Sequence, residues 1–287
     1  MAIDLINLPT RPILMSRAAR SSERLIAPLK LSKTEVAFWS AAGIVLLFVL
    51  WTSLSAFEIV PVEFLPTPSE VLRTFVAEFS SQKVSGSLLQ VHVFASLQKF
   101  FLSYVLAVTL GLALGLAMGR YRWIDWIVSP IFDAMRFIPP IAWVPFSILW
   151  FGTGLIAPTM IVFVAAFAPC VLNAQRGVAF IDPVLLEASK TFGARPLILF
   201  WRVLIPGALP QIIAGMRIGA GLGWQSLVGA ELIVGNTGLG YAMTQSVQNL
   251  DTPTLIVCMV SIGLIGAAID YGLAYVEARS RRTWRQT

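Results

Sequence analysis

Long uncharged apolar runs, separated by short polar segments, dominate the chain. A helix needs about 20 residues to cross the hydrocarbon core of a bilayer. Residues 36–57 carry no charge over 22 positions and predict a first span. Residues 100–119 predict a second, with Lys99 at its edge. Residues 137–175 stay uncharged for 39 positions, too long for one crossing. Phe151-Gly152-Thr153-Gly154 divides that run, predicting spans at 137–150 and 155–172. Residues 209–234, containing Arg217, and 254–276, with Asp270 near the end, predict the last two. The pattern is that of an all-α polytopic membrane protein with about six transmembrane helices. After the first span, Thr67-Pro68-Ser69-Glu70 has capping-box spacing with Pro at the first helical position. Val71, Leu72, Phe75, Val76 and Phe79 then share one face, which predicts an amphipathic helix on the outer membrane surface. Gly235, Gly238 and Gly240 predict a turn leading into a short helix before Pro253.

Composition agrees: 57% of the residues are hydrophobic and 13% charged, about half the charge of a soluble domain. The net charge of +6 would suit a nucleic-acid surface, but its distribution points elsewhere. With the N-terminus inside, sixteen Lys and Arg fall in inner segments and two, Arg73 and Lys83, in outer loops. That asymmetry places both termini in the cytoplasm and predicts a lipid partner, with no nucleic acid. The implied organisation is a basic tail over 1–33, a transmembrane domain over 34–280 and a second basic tail over 281–287. Cys170 and Cys258 both lie in apolar runs and suit packing, not a disulfide or a metal.

Small residues recur every fourth position, at Gly111, Gly115 and Gly119 and again at Gly215, Gly219 and Gly223. In lipid this spacing lets helix backbones approach closely. Pro139, Pro140, Pro145, Pro158 and Pro169 free carbonyls that need protein or water beside them. The helices carrying them are expected to border an aqueous path. Arg136, Arg217, Glu231 and Asp270 are charges within or at the ends of spans. Two readings stay open. Arg136 and Arg217 draw an anion into a path, or Arg136 pairs with Asp133, Arg217 snorkels, and Glu231 and Asp270 cap or bridge helices. His92 is expected at the interface. No phosphate-binding Gly-rich loop, His-Glu-x-x-His or Gly-x-Ser-x-Gly is present, so neither nucleotide hydrolysis nor an intramembrane enzyme is indicated.

The segment 182–206 is the most specific feature. Asp182 suits a helix N-cap with Pro183 at the first position, and Gly193 suits a left-handed stop. Pro196 can open a second short helix, with Pro206 as its limit. Glu187-Ala188-Ser189, three residues, Gly193, nine residues, Val203, one residue and Ile205-Pro206 resemble the Glu-Ala-Ala loop of bacterial ABC importer permeases. Ser189, Val203 and Ile205 depart from it conservatively.

Further stretches resemble the nitrate, sulfonate, taurine and bicarbonate branch of those permeases. They are 65–71, Arg136-Phe137-Ile138-Pro139-Pro140-Ile141-Ala142-Trp143-Val144-Pro145, 150–154, 215–219, Gly223-Trp224, 231–233 and 238–240. Lys99 and Ser103 stand where the branch usually has Arg and Gly. The resemblance implies a type I ABC importer-like fold in the bacterial inner membrane, in a homodimer or a heterodimer with a similar permease. It further implies two ABC ATPase subunits that use ATP and Mg, a periplasmic binding protein, and no cofactor or metal on this chain. The expected function is passage of a small anionic solute. Asp182, Glu187, Ala188, Ser189, Gly193 and Pro206 would form the coupling element. Arg136, Trp143, Arg217, Trp224 and Glu231 would belong to the path or its gate. The competing reading is a secondary carrier driven by an ion gradient.

Overall fold

The computed structural model describes residues 32–57, 61, 63–78 and 88–284, the side chains of residues 33 and 280–284 aside. Most of the two expected tails, together with Phe79 and Lys83, lies outside the described residues. The chain divides into two compact units, 1–57 and 58–287.

The first unit contains one helix, α1 (Lys33–Ala56). Ser32 caps it: the Glu35 amide donates to Ser32 Oγ at 3.2 Å, and Ser32 N donates to Glu35 Oε2 at 2.6 Å. Its side chains are apolar all round, with Trp39 and Ile44 through Leu50 exposed. That is the surface of a helix solvated by lipid.

The second unit runs α2 (Pro68–Glu78), α3 (Leu89–Arg120), α4 (Arg122–Arg136), a 3-10 turn (Pro140–Trp143), α5 (Val144–Phe151) and α6 (Ile156–Ala179). It continues with α7 (Pro183–Thr191), α8 (Pro196–Leu199), a π-helical turn (Phe200–Leu204), α9 (Ile205–Val234), α10 (Leu239–Gln248) and α11 (Thr252–Trp284). Among the described residues, five helical stretches are long and apolar enough to cross a membrane, and α4 with the 3-10 turn and α5 makes a sixth candidate, bent by 91°.

α6 is the spine, with α3 on one flank and α9 on the other. A Cβ at Gly111 would lie 2.9 Å from Cys170 Cβ, and one at Gly119 would lie 2.7 Å from Val178 Cβ. Across the opposite flank, a Cβ at Gly215 would lie 2.5 Å from Asn173 Cβ, and one at Gly219 would lie 3.0 Å from the Ala166 carbonyl oxygen. Both glycine stripes are thus backbone-approach surfaces against one helix, and dispersion contact replaces the hydrophobic drive that lipid removes.

Three elements differ from the sequence expectation. A single helical span over 137–150 does not form. Pro139 and Pro140 cannot donate to a helical ladder, so α4 stops at Arg136 and α5 keeps only eight residues. Eight residues of helix rise about 12 Å, less than half the hydrocarbon thickness. Pro206 does not end a helix either; it sits in the first turn of α9, where a missing N–H is harmless. The wide π-helical turn before it absorbs the ring, so the stretch Pro196–Val234 reads as one span. Finally, Pro158 and Pro169 are buried within a continuous α6. Both rings are packed against protein and do not border a water-filled path. Asn173 Nδ2 donates to the Pro169 carbonyl at 2.8 Å.

In α2, Val71 is buried while Leu72 and Val76 are exposed, so the expected apolar face is split between protein contact and the surroundings.

Candidate functional site

The 182–206 segment is a small knuckle mounted on the ends of α6 and α9. Asp182 Oδ1 accepts from the Val184 amide at 2.9 Å, and Pro183 occupies the first turn of α7. At the other end, the Gly193 amide donates to Lys190 O at 2.9 Å and the Ala194 amide to Ser189 O at 3.0 Å. Gly193 has φ +74°, the left-handed geometry that closes this type of helix end. Ser189 Oγ donates to Leu185 O at 2.7 Å, tightening the helix from within.

The base of the knuckle is fixed. Ile181 and Leu204, which flank its two short helices, are buried with Ala174, Val178, Ala208 and Ile212, and Leu186 and Phe200 pack against that cluster. Its apex is open: α7 has no buried residue, Phe192 is 90% exposed, and Val184, Leu185 and Glu187 are also exposed. Ala188 and Ser189 are half-buried. The apolar side chains of Val184, Leu185 and Phe192 are thus left uncovered on a helix whose base is packed.

The five path candidates do not converge. Arg136 ends α4, where its Nε donates to Asp133 Oδ1 at 2.7 Å. Together with Arg176 it lines a hollow of about 320 Å³. Arg217 lines a different hollow, of about 450 Å³, between α9 and α11. There it makes a fork-like pair with Asp270 at 2.6 and 2.9 Å and reaches Glu277 at 3.3 Å. One positive charge faces two negative ones, so this hollow is not an anion trap, and Arg217 does not simply snorkel. Trp143 lies in the 3-10 turn, half-buried, and its Nε1–H meets no acceptor among the described residues. Trp224 is buried: its Nε1–H donates to Ile262 O at 3.1 Å, and its ring sits edge-on to Phe100. It joins α9 to α11.

Glu231 is buried, 1% exposed near the end of α9. Its partner is Lys99, whose Nζ lies 2.8 Å from Glu231 Oε1. Ser96 Oγ donates to the same carboxylate at 2.9 Å, and so does the Gly240 amide at 3.0 Å. His92 is buried; its Nδ1 accepts from the Gly238 amide at 3.3 Å. Lys99 was visible in the sequence as a departure from a family pattern. Its partner, 132 residues away, carried no local signal.

Residues 107–282 match the family model described as binding-protein-dependent transport system inner membrane component. The taurine transport system permease protein TauC of Escherichia coli (strain K12) is 32% identical, over 84% of this chain and 87% of that protein. The putative ABC transporter permease protein MJ0413 of Methanocaldococcus jannaschii is 35% identical, over 80% of this chain and 85% of that protein. Permeases named for aliphatic sulfonates, nitrate and bicarbonate also match. In fold, the chain resembles an inward-facing chain of the MetNI methionine ABC transporter, with a TM-score of 0.60 and 24% identity over 67% of this chain and 96% of that one.

Proposed function

The chain belongs to the binding-protein-dependent transport system inner membrane components, and from that premise we propose that the 182–206 knuckle is where a separate ATPase drives it. As a member it is a multi-pass membrane permease subunit of an ABC importer, a transport component and not an enzyme. The observation that carries the proposal is the contrast within the knuckle: a base packed into the bundle and an apex with no buried residue. A force applied to α7 would reach α6 and α9 through Ile181 and Leu204 without first deforming a soft hinge.

In this reading Asp182, Glu187, Ala188, Ser189, Gly193 and Pro206 form the coupling element. Two ATPase subunits bind and hydrolyse ATP with Mg on the cytoplasmic side. A periplasmic binding protein delivers the solute, and two permease copies enclose the path. Both termini are cytoplasmic in the bacterial inner membrane, in accord with the sixteen-to-two bias of basic residues. The cargo is a small anion of the organosulfonate, nitrate or bicarbonate class, a choice supported by the relatives' names and not by the Arg217 hollow. The hollow carrying Arg136 and Arg176 against Asp133 has the better charge balance for an anion. Trp143 and Arg136 are the path residues of this reading, while Glu231 and Trp224 join helices to one another. An ion-driven carrier needs an acidic relay, and Glu231 and Asp270, the acids the sequence suggested for one, are each bonded to a cation.

The test uses the complete transporter in proteoliposomes. Gly193→Pro and Glu187→Arg should abolish ATP-dependent uptake while the permease still reaches the membrane. Normal uptake by both variants would remove the coupling role.

A further inference from the structure

The far end of α9 carries a second built feature that the coupling proposal does not use. The turn after α9 and the start of α10 present three backbone donors, Gly238 N, Leu239 N and Gly240 N, that no helical carbonyl can satisfy. Each meets a buried side chain instead. Gly238 N donates to His92 Nδ1, Leu239 N to Ser96 Oγ at 2.8 Å, and Gly240 N to Glu231 Oε2 at 3.0 Å. Lys99 neutralises Glu231 and also donates to the Thr237 carbonyl. The Lys99 and Glu231 side chains are 2% and 0% exposed. Gly238 has φ +116°, and a Cβ there would lie 2.6 Å from Glu231 Oε2, so the turn is pressed against the carboxylate. The result ties α3, α9 and α10 together in one register.

We propose that Lys99 and Glu231 are positioning residues that clamp α10 and its glycine turn to α3, so that this end of the bundle moves with α9 during transport. A buried ion pair is poor evidence for added stability, because well-packed apolar residues often serve as well. Its distinguishing property is directional: α10 cannot slide or rotate without stripping a charge and three amides at once. α9 begins at the base of the knuckle and ends at the clamp, so the same helix that receives the push carries it to α10. The inference rests on the coupling reading above.

The experiment compares four forms of the complete transporter in proteoliposomes: wild type, Lys99→Arg, Glu231→Gln, and the double variant Lys99→Met/Glu231→Gln. The double variant removes both charges and leaves none unpaired. It should assemble and resist heat as wild type does, yet move about tenfold less solute per ATP hydrolysed. Lys99→Arg, which keeps the cation and its donors, should retain most of the ratio. A wild-type ratio in the double variant would overturn the clamp. So would a loss of assembly or heat resistance that parallels the loss of uptake, which marks a merely structural pair. A wild-type transporter that shows no ATP-dependent uptake would instead overturn the coupling reading itself.

Discussion

Gly115 offers the sharpest check on how the bundle is held together. It faces α6 at the centre of the first glycine stripe. A Cβ added there would overlap the Val171 carbonyl oxygen and lie 2.8 Å from Ala174 Cβ. Carbon pairs rest at about 3.5–4.0 Å, so α3 and α6 must part by roughly 1 Å for Gly115→Ala to be accommodated. Overpacking of that kind costs about 1–3 kcal/mol, while replacing Gly by Ala inside a helix returns about 1 kcal/mol. The steric cost outweighs the helix-propensity gain here, because the obstructing carbonyl belongs to the spine helix and cannot swing aside. Gly272 in α11 is the internal control, because a Cβ there has nothing within 4 Å. Gly272→Ala should gain up to about 1 kcal/mol. For a chain of this length each kcal/mol moves a thermal midpoint by about 2–4 °C. Thermal unfolding of the purified protein in detergent, followed by tryptophan fluorescence, should therefore place Gly115→Ala several degrees below Gly272→Ala. Equal or reversed midpoints would show that α3 and α6 do not approach this closely.

Further consequences follow from the charges and caps. Glu231→Ala leaves Lys99 buried without its anion and should cost about 3–5 kcal/mol, whereas Arg136→Gln, at a pair with side-chain exposures of 30% and 51%, should cost no more than about 1 kcal/mol; denaturation of both variants measures the contrast. Asp182→Ala removes the α7 cap and should loosen that helix by about 1 kcal/mol, read as faster amide exchange confined to 184–191. Cys170 and Cys258 are buried free thiols and should resist maleimide until the protein unfolds, with early labelling of Cys170 contradicting the tight α6 packing.

Much of this architecture is legible in residue order because lipid imposes simple demands. The apolar runs at 100–119 and 254–276 fall inside α3 and α11, since a spanning helix must satisfy its own backbone. Asp182, Gly193 and Pro196 mark their helix ends by local chemistry alone. The failures share one cause, a long-range or compensating contact. Pro206 reads as a stop until the π-helical turn beside it is seen. The 137–150 run reads as one helix because hydropathy is blind to a bend. The signal that was available is amphipathicity: Trp123, Trp126, Ile127 and Ile131 form one exposed apolar stripe on α4, opposite Asp125 and Ser129, which bond to each other. The contacts that Glu231 and Trp224 make are equally hidden in residue order. Their partners, Lys99 and Ile262, lie on other helices, and no spacing rule connects them.

The central claim is that this chain moves solute only when an ATPase works on its exposed knuckle. The most direct measurement is uptake into vesicles containing the purified permease with its binding protein, with and without the partner ATPase. The account predicts ATP-dependent accumulation when the ATPase is present and none when it is left out. Accumulation by the permease alone, driven by an ion gradient, would contradict it.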